Sequence, residues 1–103
     1  MTSEVKSKLL ADAKETLQIK TDAFDITISG LIDACVEDLV LRNAIQESQM
    51  TANPIKPSIW RAIMTYVRWT FGDPENPERL KADYDEQKAT LMMTTGFTNW
   101  EES

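Results

Sequence analysis

The apolar residues between positions 22 and 42 recur with the period of an α-helix, and this pattern restricts the fold more than any other stretch does. At 3.6 residues per turn they form one stripe. Asp22 is the predicted N-cap, and Asp25 lies in the first turn, where a carboxylate complements the helix dipole. Ile26 and Val40 lie off the stripe, which suggests a second buried face. The stripe consists of Phe24, Ile28, Leu31, Ile32, Cys35 and Leu39.

Two segments on either side of that stretch also have helical patterns. Residues 4–17 carry apolar side chains on one side and charged ones on the other, which predicts a short amphipathic helix. Residues 58–71 predict a further helix that begins behind Pro57. Gly72 follows it and suits the left-handed C′ position, because glycine has no Cβ atom to clash there.

A proline marks the start of the last predicted helix. Asn76 is the predicted N-cap and Pro77 the first helical residue, and the helix runs to about Met93. Residues 43–56 lose the helical period and contain Pro54, so they predict a long loop. In so small a domain a loop of this length is either functional or mobile.

These segments together predict an all-α fold: a small bundle of three to four helices, with a long 43–56 loop and an extended C-terminal tail. Residues 1–93 form a single helical domain, and residues 94–103 form the tail, an expected assembly arm. A length of 103 residues is typical of one domain with a modest core. No apolar run reaches the length that spans a bilayer, so no membrane association is expected.

The composition argues against several kinds of chemistry. The chain has no histidine, which removes the commonest general base, the commonest metal ligand and every Ser–His or Cys–His nucleophile pair. Its three glycines are well separated, so they form no glycine-rich phosphate loop. The lone Cys35 lies at the centre of an apolar stripe and is expected in the core. We therefore expect no enzyme activity, no metal and no cofactor.

The acidic residues also argue against two classes of function. A net charge of −6 disfavours a protein that coats DNA or RNA, because such a protein needs a positive surface. Asp83 and Asp85 do not form a catalytic pair, since residues i and i+2 point apart on a helix. Asp85 lies one turn from both Lys81 and Lys88, so surface ion pairs are expected there.

Arginine and tryptophan residues of the third helix form a candidate contact surface. Arg61 and Arg68 are seven residues apart and therefore project from the same side of their helix. Trp69 lies near them. These residue types are enriched in the energetic centres of protein interfaces. The alternatives are a local cation–π pair or a place in a larger core.

The last helix has two apolar seams. One seam contains Leu80, Tyr84 and Leu91, and the other contains Ala82, Ala89 and Met93. A helix with two seams touches two surfaces, which we interpret as its own domain and a neighbouring subunit. Alternatively, the alanines are present only as good helix formers. In the tail, Phe97 and Trp100 either dock on a partner or fold back onto the domain.

Residues 62–100 have the sequence AIMTYVRWTFGDPENPERLKADYDEQKATLMMTTGFTNW. They combine an aromatic-containing helix, the turn FGDP, Arg79, the stretch YDEQKATL and the tail TTGFT.W. This ordered set resembles the phage head–tail connector family, also called head-completion or DNA-packaging adaptor proteins. The likeness covers about the last 40 residues, whereas the N-terminal half agrees only in helical pattern and length.

The resemblance implies a small α-helical virion protein that is made in the host cytoplasm and acts at the head–tail interface. Family members form a ring, commonly of about twelve copies, beneath the portal protein. The ring extends the DNA channel and docks the next connector or tail protein, and the genome passes through without sequence-specific binding. The candidate interface residues are Arg61, Arg68, Trp69, Arg79, Ala82, Ala89, Met93, Phe97 and Trp100.

A function of a different class is a small helical regulatory or adaptor module. Such a module binds a protein or a nucleic acid through Arg61, Arg68 and Trp69. It predicts salt-sensitive binding to DNA or a stable dimer in isolation, neither of which the connector function requires.

Overall fold

The chain folds as four α-helices and one short 3-10 helix. The computed structural model describes residues 1–72 and 75–102, with side chains described through Met93, and no strand occurs in these ranges. The all-α fold is therefore confirmed. The elements are α1 (Ser3–Thr16), α2 (Asp25–Leu41), the 3-10 helix (Glu47–Thr51), α3 (Pro57–Thr70) and α4 (Pro77–Glu102).

Helix α3 lies at the centre of the bundle and contacts each of the other three helices. Its aliphatic residues are at most 4% exposed, and even Thr65 is only 8% exposed. The stripe of α3 that faces solvent is narrow, with Arg61 and Arg68 on it. Trp60 lies at the edge of the buried face, 37% exposed, and its indole Nε1 donates a hydrogen bond to Asp12 of α1 at 2.9 Å.

Helix α2 buries one stripe, as its period predicts, but begins later than expected. Four members of the predicted stripe are fully buried: Ile28, Ile32, Cys35 and Leu39. Leu31 is half-buried, and Phe24, which precedes the helix, is 44% exposed. The prediction that Asp22 caps this helix is wrong: the helix begins at Asp25, and the Asp22 carboxylate instead pairs with Lys14 of α1 at 2.7 Å. That hydrogen bond holds the pKa of Asp22 below its ordinary value.

The second buried face expected for α2 is only partly covered by the described part of the chain. Ile26 is 90% exposed and Leu41 is 71% exposed, whereas Val40 is half-buried. A helix that is apolar on two sides in this way leaves its outer side in contact with solvent in the single chain. Within the described residues, the suggestion of a second buried face is therefore wrong at Ile26, whereas Val40 packs partly against the core.

Helices α1 and α2 both end in the left-handed conformation, at residues that are not glycine. Gln18 has φ of 60° and Asn43 has φ of 57°. Both helix C-termini have the hydrogen bonds of a Schellman motif. In α2, for example, the backbone N–H of Ala44 donates to the carbonyl oxygen of Leu39 at 2.8 Å. Gly72, the residue predicted to be left-handed, does not have positive φ, and that prediction is wrong.

Gly72 is instead required by close packing. A Cβ atom at this position would lie 2.8 Å from the carbonyl oxygen of Arg68, which is closer than real contacts of that kind. Because that oxygen belongs to the backbone of α3, it cannot move aside as a flexible side chain can. The corner after α3 therefore depends on the absence of a side chain rather than on unusual backbone angles.

The 43–56 segment is packed into the core rather than standing apart from it. It contains the 3-10 helix, and its apolar side chains are buried: Ala44, Ile45, Met50 and Ile55. Met50 is fully buried. A segment with this much buried apolar surface is held against the core by the hydrophobic effect, which disfavours a mobile loop.

Helix α4 begins as predicted, since the side chain of Asn76 accepts a hydrogen bond from the backbone N–H of Arg79 at 3.3 Å and Pro77 is the first helical residue. Its assigned end, Glu102, lies beyond the predicted end at about Met93. The tail prediction for residues 94–103, which includes Phe97 and Trp100, concerns side chains outside the described part of the chain.

Two glycine-to-alanine substitutions should have opposite effects on stability. Gly72→Ala is expected to lower the free energy of unfolding by about 1 to 3 kcal/mol, because the new methyl group meets backbone. Gly30→Ala is expected to raise it by up to about 1 kcal/mol, since Gly30 lies within α2 with open space around it. Urea unfolding of both variants measures this, and equal effects of the same sign would contradict the packing argument.

Candidate protein-interaction surface

Helix α4 presents one seam to the bundle and the other to solvent. Tyr84 is 2% exposed and Leu91 is 7% exposed, so this seam packs against the protein's own core. On the opposite side, Ala82 and Ala89 are exposed, and Met93 is 77% exposed. The two predicted seams therefore exist, and the outer one has no covering element among the described residues.

A valley runs between α3 and α4. At one end it is lined by Ser58 and Arg61 of α3 and by Thr90 of α4, and at the other by Arg68 and Arg79. The two ends have open volumes of about 420 and 470 Å³, and Asp83 lines both. The helices are antiparallel, because the start of α3 faces the later part of α4.

The three arginines that line the valley form no ion pair with any described residue, whereas most other cations do. Arg61, Arg68 and Arg79 are all exposed. The paired cations are Lys6, Lys8, Lys14, Arg42, Lys81 and Lys88. Arginine forms bidentate hydrogen bonds with carboxylates. The valley has mixed charge, however, since it is also lined by Glu75, Asp83 and Glu86.

Trp69 packs against its own domain. Its ring is half-buried and lies edge-on to Tyr66, with ring centroids 5.7 Å apart, and 6.3 Å from Tyr84. The Lys81 ammonium lies 5.9 Å from the Trp69 ring centroid. Of the alternatives for this residue, the structure shows a cation–π pair at the edge of the core, with a lysine rather than an arginine as the cation.

A polar network joins α2 to α4 beneath this aromatic group. The Tyr84 hydroxyl donates a hydrogen bond to the Asp38 carboxylate at 2.8 Å, and Lys88 Nζ donates to the same oxygen at 3.1 Å. The Cys35 thiol donates to the Tyr84 oxygen at 3.7 Å. The network fixes how far α4 is rotated about its axis, since Tyr84 must face α2 to reach Asp38.

The environment of this network shifts the pKa values of its members. Burial raises the pKa of the Cys35 thiol to about 12 and raises the pKa of Tyr84 well above its ordinary range. Burial also opposes ionisation of Asp38, but the hydrogen bonds from Tyr84 and Lys88 outweigh it and lower the pKa of Asp38. The carboxylate is therefore charged at neutral pH, and the thiol and phenol are protonated.

The carboxylates of α4 diverge, as predicted. Asp83 lines the valley, whereas Asp85 pairs with Lys81 at 2.9 Å. The expected pair of Asp85 with Lys88 does not form, because Lys88 reaches Asp38 of α2 instead. In the described part of the chain, no group of three or more Cys, Asp or Glu side chains is placed to hold a metal. None of the described helices is long and apolar enough to cross a bilayer.

Several residues that shape this surface were not identified from the sequence. Asp38 lies 46 residues from Tyr84 and 50 from Lys88, and no local spacing connects them. The Oε1 atom of Gln87 is buried and accepts no hydrogen bond from a described residue. The sequence contained one indication of this polar network, which is that the acidic Asp38 borders the apolar stripe of α2.

Comparisons with known proteins add no relative to this description. A scan against protein-family models and searches of curated proteins and of solved structures found no match.

Removal of one hydroxyl group tests the polar network. Tyr84→Phe is expected to lower the free energy of unfolding by about 1 to 3 kcal/mol, because it removes a hydrogen bond to a charged, partly buried group. Tyr66→Phe is the matched control, since the Tyr66 hydroxyl bonds to no described residue, and a change within about 0.5 kcal/mol is expected. Thermal and urea unfolding give both values, and equal losses would show that the network does not stabilise the fold.

The thiol of Cys35 should be inert in the folded protein. Because it is fully buried and its pKa is raised to about 12, we expect no reaction with a disulfide reagent at pH 8 until the chain unfolds in urea. Cys35→Ala should reduce stability by about 1 kcal/mol and leave assembly intact. Rapid labelling of the native chain, or lost assembly in a folded Cys35→Ala protein, would contradict a purely structural role.

Proposed function

We propose that this chain is a virion structural protein of the phage head–tail connector type. It forms a ring beneath the portal, extends the DNA channel and joins the head to the tail. It acts by binding proteins and has no enzymatic step. The proposal begins from the resemblance of residues 62–100 to that family.

The observation that carries the proposal is the outer seam of α4. Ala82, Ala89 and Met93 are exposed on the side of α4 that lies opposite the anchored Tyr84, and the exposed Asp85 and Glu86 lie between the two alanines. Small side chains allow a neighbouring helix to approach closely, and an exposed methionine adapts to an irregular partner surface. A contact between this seam and a different surface of the next copy is heterologous, and heterologous contacts close into rings when the rotation permits.

The charge of the chain is also favourable for a channel protein. A net charge of −6 repels DNA phosphates, so the genome slides past without being gripped. The three arginines beside the valley, which form no ion pair with a described residue, are the specific feature that favours the alternative, a regulatory module that binds a protein or a nucleic acid. The two functions differ in what their loss does to a phage particle.

Deletion of the gene from the phage that carries it tests the proposal directly. The lysate is imaged by electron microscopy. DNA-filled or DNA-leaking heads beside unattached tails are expected, because the portal vertex would remain open to solution. Normal tailed particles would overturn the connector function and leave the regulatory module as the better explanation.

A single substitution on the outer seam tests whether that seam is an interface. Ala89→Glu places a charge at an exposed helical position, so the fold should be retained. Complementation of the deletion should fall at least tenfold, which corresponds to a loss of about 1.4 kcal/mol or more in the free energy of assembly. Ala11→Glu makes the same change at an exposed position of α1 and should complement normally. Plaque counts measure both, with circular dichroism as the check on folding; full complementation by Ala89→Glu would remove the seam from the interface.

A further inference from the structure

Gly30 is not required by anything in the described part of the chain. It lies inside α2, its backbone does not have positive φ, and a Cβ atom there would meet nothing within 4 Å. Glycine inside a helix is less favourable than alanine, because it loses more conformational freedom on folding. The close approach of another molecule is a reason for glycine that the single chain does not supply.

A hollow surrounds Gly30 on the outer side of α2, with an open volume of about 410 Å³. Ile26 is 90% exposed beside it, which is the largest exposed fraction among the large apolar side chains described. We call this feature the Gly30 hollow. It is lined by Lys6, Asp25, Ile26, Ser29, Gly30 and Asp33.

The acids that line the Gly30 hollow already have cationic partners. Asp33 pairs with Lys6 at 2.8 Å, and Asp25 pairs with Lys14 at 3.0 Å. Between these two acids, residues 26–32 carry no charge. The floor of the hollow is therefore small and apolar, and it fits an occupant that is uncharged.

The charges of the chain restrict which part of a second copy can fill the hollow. A second α2 would bring its own Glu37 beside the acids that line the hollow. The middle of the outer seam of α4 would bring Asp85 and Glu86. Like charges placed together oppose binding. The longest uncharged stretch of the chain is residues 89–100, which lies in α4.

Met92 and Met93 are the large exposed side chains described in that uncharged stretch. They are 40% and 77% exposed, whereas the preceding Leu91 is buried and lines the same end of the valley as Ser58, near the start of α3. The two methionines therefore lie at the end of the bundle, where a neighbour can reach them. A methionine side chain is flexible and apolar, so it fits an irregular hollow.

We infer that the Met92–Met93 turn of α4 in one copy docks in the Gly30 hollow of a neighbouring copy. The inference rests on the proposed function, and it names the surface of the next copy that the outer seam of α4 meets. The two surfaces are different, so the contact is heterologous and each copy uses both of them.

Photo-crosslinking of the full-length chain tests the docking. Ile26 is replaced by benzoylphenylalanine in an unlabelled chain, which is mixed with ¹⁵N-labelled chain at about 1 mM, the effective concentration that short tethers provide. Irradiation should give adducts of mixed isotopic composition on Met92 or Met93, within the tryptic peptide 89–103.

The same crosslinker at Leu41 is the matched control. Leu41 is 71% exposed on the same helix but lies about 16 Å from Gly30 along the axis, at 1.5 Å per residue. It corrects for the capture of any exposed methionine. Mixed adducts on α2 or another surface, adducts only within one copy, or a yield no higher than that of the Leu41 control would each overturn the inference.

Filling the hollow should remove the contact without damaging the fold. Gly30→Met, introduced into the chain that carries the crosslinker, adds a side chain where the chain itself leaves open space, and methionine is the better helix former. The urea midpoint should stay the same or rise, while the mixed adduct falls about tenfold.

Ala11→Met adds the same side chain at an exposed position of α1 and should leave the yield unchanged. An undiminished yield in a folded Gly30→Met chain, or an equal loss in the Ala11→Met chain, would refute docking in the hollow.

The two proposals fail in different ways. Mixed adducts on Met92 or Met93 together with normal phage particles after gene deletion would support the docking but end the connector function. Unattached tails after deletion, with no mixed adduct above the control, would support the connector function and end the docking.

Discussion

The position of Tyr84 determines which side of α4 faces outward. Its ring lies against Tyr66 and near Trp69 on α3, while its hydroxyl group reaches Asp38 on α2. A helix packed only through apolar contacts can rotate about its axis at modest cost, but a directional hydrogen bond to a carboxylate permits one rotation. The outward direction of Ala82 and Ala89 is a consequence of that single anchored residue.

Helix α3, at the centre of the bundle, determines where Arg61 and Arg68 lie. Because α3 is surrounded by the other three helices, its outward stripe is narrow, and Arg61 and Arg68 are exposed on it. Arg61 and Arg68 therefore lie at the edge of the α3–α4 valley rather than on an open face. Any partner that binds them also contacts α4, so the valley and the outer seam belong to one continuous side of the molecule.

The sequence predicted the helices, which depend on local periodicity, but did not predict the contacts between residues that are far apart in the chain. The four helices follow from apolar spacing and from Asn76–Pro77, and the buried stripe of α2 follows from its 3.6-residue period. The partner of Lys88 was missed because Asp38 is 50 residues away and competes successfully with the nearby Asp85. The burial of Met50 was missed because the 43–56 segment has no helical period. Gly72 was assigned the wrong role because a glycine after a helix more often indicates a left-handed backbone conformation than close packing.

The inaccessible Cys35 makes the chain suited to site-directed spectroscopy. A protein with one native cysteine normally has to lose it before new thiols can be labelled selectively. Here the native thiol is fully buried, so a cysteine introduced on the outer side of α4 is the group that reacts with a maleimide dye or a spin label. Distances between labelled copies are then measurable in the otherwise unaltered chain.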